Sequence, residues 1–132
     1  MKTRPAASAF ALLASGAVAQ DLETTIPSSV GAVAPALQNH LNEDIFDGVW
    51  NDEALSMRDR ALVTFAALMT RHEVNNIESH VALALDAGVT PGEISETITH
   101  LAFYTGMGNA IAAAEATAPV FEAPGITAAD LP

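Results

Sequence analysis

The four residues Thr90-Pro91-Gly92-Glu93 constrain this chain more than any others. A threonine hydroxyl with a glutamate three residues later can close a reciprocal cap on the first free amides of a helix. Proline at the first helical position has no N–H to leave unsatisfied, and its fixed φ already suits the helix. The helix opened here places Ile94, Ile98, Leu101 and Ala102 on one stripe, and Gly106-Met107-Gly108 breaks it.

The same reading extends in both directions. Ser56 followed by Asp59 is an N-cap signature for a helix running to about Thr70. That helix carries Leu62, Val63, Phe65, Ala66, Leu68 and Met69, apolar nearly all round, and is expected to be central and buried. Val74 to Ala87 has a stripe of Ile77, Val81, Ala84 and Leu85, with Gly88 placed to end it. Upstream, Leu37, Leu41, Ile45 and Phe46 recur at helical spacing from Pro35 to Trp50, and an alanine-rich helix is expected from about Asn109 to Ala118. No run alternates with the period of a strand. The expected fold is all-α, a compact bundle of about five to six helices. Residues 35–118 read as the domain, 20–34 as a flexible arm, and 119–132, with Pro119, Pro124 and Pro132, as a loosely ordered tail.

Residues 1–19 read as a signal peptide. Lys2 and Arg4 give a positive start, Ala6 to Ala14 is a short apolar run, and Ala17-Val18-Ala19 fits a small-x-small cleavage pattern. The run is shorter than the roughly 20 residues needed to span a bilayer. Export to the periplasm or medium is the expected localisation. Removal of the leader leaves 113 of the 132 residues, with Arg58, Arg60 and Arg71 against sixteen carboxylates, a formal −13. Such a surface repels nucleic acid and anionic lipid, whose binding depends on Lys and Arg meeting phosphate. A small core in a chain with half its composition apolar favours self-association. The absence of cysteine excludes disulfides, thiolate metal sites and thiol redox chemistry.

Glu96, His100 and Tyr104 stand at i, i+4 and i+8, so they form one polar stripe on the helix that Thr90 opens. A carboxylate can orient an imidazole, and a phenol can donate to a ligand, which makes a proton relay possible. The same spacing also fits ordinary helix decoration or an interface contact. His80 lies on the edge of the preceding helix's apolar stripe, as a catalyst or as a hydrogen-bonded core residue. The spacing lacks both the His-Glu-x-x-His and the Glu-x-x-His arrangements, and His40 and His72 add no second ligand pair, so no metal is expected.

Taken together, several blocks resemble the carboxymuconolactone decarboxylase family, which includes the AhpD-like proteins. They are Leu55-Ser56 with Arg58-Asp59-Arg60, His80-Val81 with Ala84-Leu85 and Ala87-Gly88, and Thr90 to Ile94. The last and most specific is Glu96-x-x-x-His100-x-x-x-Tyr104-x-Gly106. The AhpD-like branch ends a Cys-x-x-Cys-x-x-x-His motif on the histidine matching His80, with a glutamate nineteen residues before it. Here those positions hold Glu73, Asn76 and Ala61, so peroxidase chemistry through a thiolate is contradicted by the residues themselves. The resemblance implies an AhpD-like helical fold, a trimer or hexamer, and decarboxylation or lactone processing of a small carboxylated molecule by acid/base catalysis without a cofactor. By the same likeness His80 is the acid/base candidate, and Glu96, His100 and Tyr104 shape the pocket. Arg58 or Arg60 would clamp a carboxylate, because a guanidinium can bind one in bidentate fashion. Two alternatives stay open: both arginines serve as helix-start charges paired with Asp59 or a neighbouring subunit, and the scaffold is a non-catalytic oligomeric binding module. Met107-Gly108 replaces a proline usual in the family just after the Tyr-x-Gly block.

Overall fold

The computed structural model describes residues 26–132. The expected signal peptide lies outside the described residues. The chain divides into two units, with the boundary after Glu53. Among the described residues six α-helices form, no strand is present, and no helix is long and apolar enough to cross a membrane.

In the first unit, helix α1 (Ser29–Val33) occupies part of the stretch expected to be a flexible arm, and α2 (Pro35–His40) follows directly. The single helix expected from Pro35 to Trp50 is divided. After His40 the turns widen into a π-helical stretch, Leu41–Phe46, and a 3₁₀ turn at Val49–Asn51 follows. Gly48 marks the break, because a Cβ built there would collide with the carbonyl oxygen of Asp44. Phe46 and Trp50 are the buried side chains of this segment.

The second unit contains α3 (Met57–Thr70), α4 (Ile77–Asp86), α5 (Pro91–Thr105) and α6 (Met107–Glu122). Each begins where sequence signals place it to within a few residues. The Ser56 hydroxyl accepts from the Asp59 amide at 3.1 Å. At Thr90 the cap is reciprocal: the Glu93 amide donates to the threonine hydroxyl, and the Glu93 carboxylate accepts from the Thr90 amide at 2.8 Å. Helix α3 packs against α4, α5 and α6. It is central but not buried all round. Ala61, Phe65 and Met69, spaced by four, are enclosed, whereas Val63 remains 60 % exposed. Ile77, Val81, Leu83 and Ala84 from α4, together with Ile94 from α5, complete the core.

Three helix ends close with the same device. At the end of α4 the Gly88 amide donates to the Leu85 carbonyl and the Val89 amide to that of Ala84, with Gly88 at φ +95°. After α6, Gly125 and Ile126 repeat the pattern on Glu122 and Phe121. At the end of α3, His72 and Glu73 repeat it on Met69 and Leu68, but His72 takes the left-handed position itself, at φ +59°.

The C-terminal segment departs from expectation. Helix α6 runs through Pro119 to Glu122, although proline cannot donate to the carbonyl four residues back. Beyond it a reciprocal cap between Thr127 and Asp130 sets a 3₁₀ turn, and Ile126 and Leu131 line a hollow together with Phe121 and Ile98. The stretch whose prolines mark a loose tail thus carries the last turn of α6 and a 3₁₀ turn.

Candidate functional site

The functional candidates fall into three groups. The first is the α5 stripe. A groove of about 530 Å³ runs between α3 and α5, lined by Leu62 and Ala66 from α3 and by Glu93, Glu96, Thr97, His100 and Leu101 from α5. Helical periodicity explains the lining: positions 93, 96, 97, 100 and 101 recur at three and four residues, the spacing of one helix face. Glu96 and His100 therefore share one groove. Tyr104, one turn on, stacks on the His100 ring at a centroid distance of 4.9 Å and an interplanar angle of 39°, and is 75 % exposed. A carboxylate and an imidazole thus share an apolar channel, with an exposed phenol stacked on the imidazole outside its lining, a geometry suited to moving a proton at a small bound molecule.

The second group surrounds His80. Its Nδ1 lies 2.9 Å from the Asn76 carbonyl. A carbonyl can only accept, so Nδ1–H donates, and the lone pair of the neutral ring sits on Nε2. Asn76 in turn donates from its side-chain amide to Glu73 at 3.3 Å, and Glu73 is paired with Arg71 at 2.6 Å. Arg71 holds the Glu73 carboxyl below the usual carboxylate range. Glu73 and Asn76 are the two positions where the resemblance places cysteines. Here they form a polar chain ending on the imidazole. His80 is half-buried and does not line the α3–α5 groove.

The third group is the arginines. Arg58 donates from Nε to the Gly88 carbonyl at 3.3 Å and from Nη1 to Asp59 at 3.2 Å, and its Nη2 pairs with Glu93. The residue thus ties the start of α3 to the end of α4 and the start of α5. The Thr90 amide, followed by the Arg58 guanidinium, holds the Glu93 carboxyl below the usual range. The hydrogen bond to Glu93 raises the pKa of Arg58 in return. Arg60 donates from Nε to the Leu55 carbonyl at 3.2 Å. Neither arginine lines the groove. The helix-start pairing with Asp59 foreseen for Arg58 is present, and Glu93 is the partner that sequence spacing did not reveal. Its 35-residue separation carries no local signal. Among the described residues no group of three or more His, Asp or Glu side chains gathers where it could hold a metal ion.

The sequence profile of the carboxymuconolactone decarboxylase family matches residues 35–119. The chain belongs to the carboxymuconolactone decarboxylase family. It is 30 % identical over 89 residues to the 4-carboxymuconolactone decarboxylase of Acinetobacter baylyi. That match covers 67 % of this chain and 66 % of the relative, so the chain spans about two thirds of the length of the decarboxylase it matches. The carboxymuconolactone decarboxylase family region takes in all three groups of candidate residues, together with the capped start of α5 that aligns Glu96, His100 and Tyr104.

Proposed function

We propose that this protein is a cofactor-free, carboxymuconolactone decarboxylase-like enzyme acting on a small carboxylated lactone by proton transfer. One observation carries the reading: Glu96 and His100 share an apolar groove, with Tyr104 stacked on the imidazole, in a chain of a decarboxylase family. An apolar groove strengthens electrostatic interactions with a bound anion, and His100 can give a hydrogen bond to the carbonyl oxygen on which charge develops. Glu96 orients the ligand and Tyr104 limits the ring's motion. His80, with its lone pair directed through Nε2, is the second acid/base group. Arg58 acts on the site by holding Glu93, and a clamp role for Arg60 requires a ligand that extends beyond the groove's lining.

The experiment is carbon dioxide release from a panel of carboxylated lactones, run with wild type, His80→Ala and His100→Ala at matched protein concentration. Removing a general acid/base group is expected to lower turnover by about 10²–10⁴-fold. Loss in His100→Ala alone assigns the chemistry to the groove, and loss in His80→Ala alone moves it to the Glu73–Asn76–His80 chain. A folded protein with no turnover on any lactone would return the scaffold to a binding role. Export and self-association as a trimer or hexamer belong to the same proposal. Val63, Phe103, Met107 and Ile111 expose 55–77 % of their surface, and a second copy would cover them. Light scattering at a monomer mass would remove that part.

A further inference from the structure

The hydrogen-bonded chain behind His80 lies away from the α3–α5 groove and fixes the state of one ring. Helical side chains lean towards the N-terminus, so an imidazole at position 80 reaches a carbonyl at position 76. Two oxygens face its Nδ1: the Asn76 carbonyl at 2.9 Å and the Ser79 hydroxyl at 3.4 Å. The Ser79 hydroxyl spends its own hydrogen on that same carbonyl, at 3.2 Å. Both oxygens therefore turn lone pairs towards Nδ1, and that nitrogen carries the hydrogen of the neutral ring.

The orientation of the Asn76 carbonyl depends in turn on Glu73, which holds Asn76 twice. The Asn76 backbone amide donates to the Glu73 carbonyl at 3.0 Å, and its side-chain amide donates to the Glu73 carboxylate at 3.3 Å. These bonds fasten the 3₁₀ turn Val74–Asn76 at the start of α4. Glu73 gives its other carboxylate oxygen to Arg71 at 2.6 Å, and that pairing favours its ionised form. An ionised acceptor makes a hydrogen bond roughly twice as strong as a neutral one, which matters because Asn76 is exposed to competing water.

We infer, on the reading of His80 as an acid/base group of this enzyme, that Glu73 is its positioning residue. Acting through Asn76, Glu73 holds the ring in the Nδ1–H tautomer and leaves Nε2 as the basic nitrogen. Which nitrogen of a histidine can take a proton is set by the hydrogen bond the other one makes. A ring released from Asn76 exchanges between its two tautomers and offers the wrong nitrogen for part of the time. When Nε2 takes up or returns a proton, the hydrogen on Nδ1 stays with the Asn76 carbonyl, so one proton moves and no second transfer is needed. Glu73 itself touches no reacting atom.

The test reads the ring directly, in the full chain labelled with ¹⁵N-histidine at a pH where the imidazoles are neutral. The chemical shifts of the two ring nitrogens show which one carries the hydrogen, and the His80 signals are assigned by their loss in His80→Ala. Wild type is expected to carry it on Nδ1. Glu73→Ala is expected to shift His80 towards a mixture of tautomers while His40 and His100 keep their signals. Asn76→Ala, which cuts the same link from the other side and keeps the backbone carbonyl, is expected to do likewise. Glu73→Gln retains an acceptor for the Asn76 amide and is expected to restore most of the wild-type form. On a lactone that wild type decarboxylates, Glu73→Ala should lower kcat about tenfold with KM little changed, a part of the roughly 10²–10⁴-fold that a lost acid/base group costs. In a His80→Ala background it should add no further loss, because a residue acting through His80 has nothing left to position. A hydrogen on Nε2 in wild type, an unchanged tautomer in both Glu73→Ala and Asn76→Ala, or additive losses in the double variant overturns the inference and leaves the enzyme reading standing. Absence of turnover in wild type counts against the enzyme reading alone, and the spectra still decide whether Glu73 holds the ring.

Discussion

Replacing His72 with glycine is expected to make this protein more stable, although the change removes a side chain. His72 sits one residue past the cap of α3 at φ +59°, where its amide donates to Met69 and the next amide donates to Leu68. The left-handed conformation costs an L-residue roughly 1–2 kcal/mol, which glycine avoids. Glycine gives back roughly 0.4–1 kcal/mol through the greater freedom of the unfolded chain. The imidazole is exposed, so little packing is lost. The net expectation is a gain of about 0.5–1 kcal/mol from these two terms. Gly88 supplies the internal control. It occupies the equivalent place after α4 at φ +95°, and a Cβ there would touch nothing within 4 Å. Gly88→Ala therefore isolates the backbone cost and is expected to lose a similar amount. Urea unfolding followed by helical circular dichroism, at one protein concentration, reads both. The midpoint should rise for His72→Gly and fall for Gly88→Ala with an unchanged slope. In a thermal scan, each kcal/mol corresponds to roughly 4–8 °C for a domain of this size. A midpoint that falls in both variants would refute the reasoning, because it would mean that His72 holds the end of α3 through its side chain.

Phe65 is fully enclosed in α3, so Phe65→Ala should cost about 3–5 kcal/mol in denaturant unfolding, the usual effect of an unfilled aromatic cavity. Glu93 has its carboxyl held below the usual range by Thr90 and Arg58, so its contribution is complete above the ordinary carboxylate value and is lost as the pH falls through the lowered one. Melting temperature should accordingly drop on the acid side, and Glu93→Gln should flatten that part of the profile while lowering stability at neutral pH. Arg58→Ala should lower stability at neutral pH without moving the pH optimum of turnover, whereas a shifted optimum would place Arg58 at the substrate. Expression with the leader intact should yield an exported protein beginning at Gln20, and N-terminal sequencing of an uncleaved chain would count against export.

Local chemistry made much of this molecule legible. Ser56, Thr90, Pro91 and Gly88 act within four residues of themselves, and the helices they bound lie where their spacing places them. The stripe of Glu96, His100 and Tyr104 follows from the same helical arithmetic, as does the ring contact between its last two members. What the sequence could not decide were the meetings between elements. The pairing of Arg58 with Glu93 joins two helix starts 35 residues apart. Only packing distinguished enclosed Phe65 from exposed Val63, two residues apart on a helix apolar nearly all round. Nor was it legible that α6 runs through Pro119 to Glu122. The sequence by itself determined where α3 and α5 begin and where α4 ends, since caps and turns are local. The tertiary structure decided which of their faces are buried and which charges meet, since those depend on residues the chain brings together from afar.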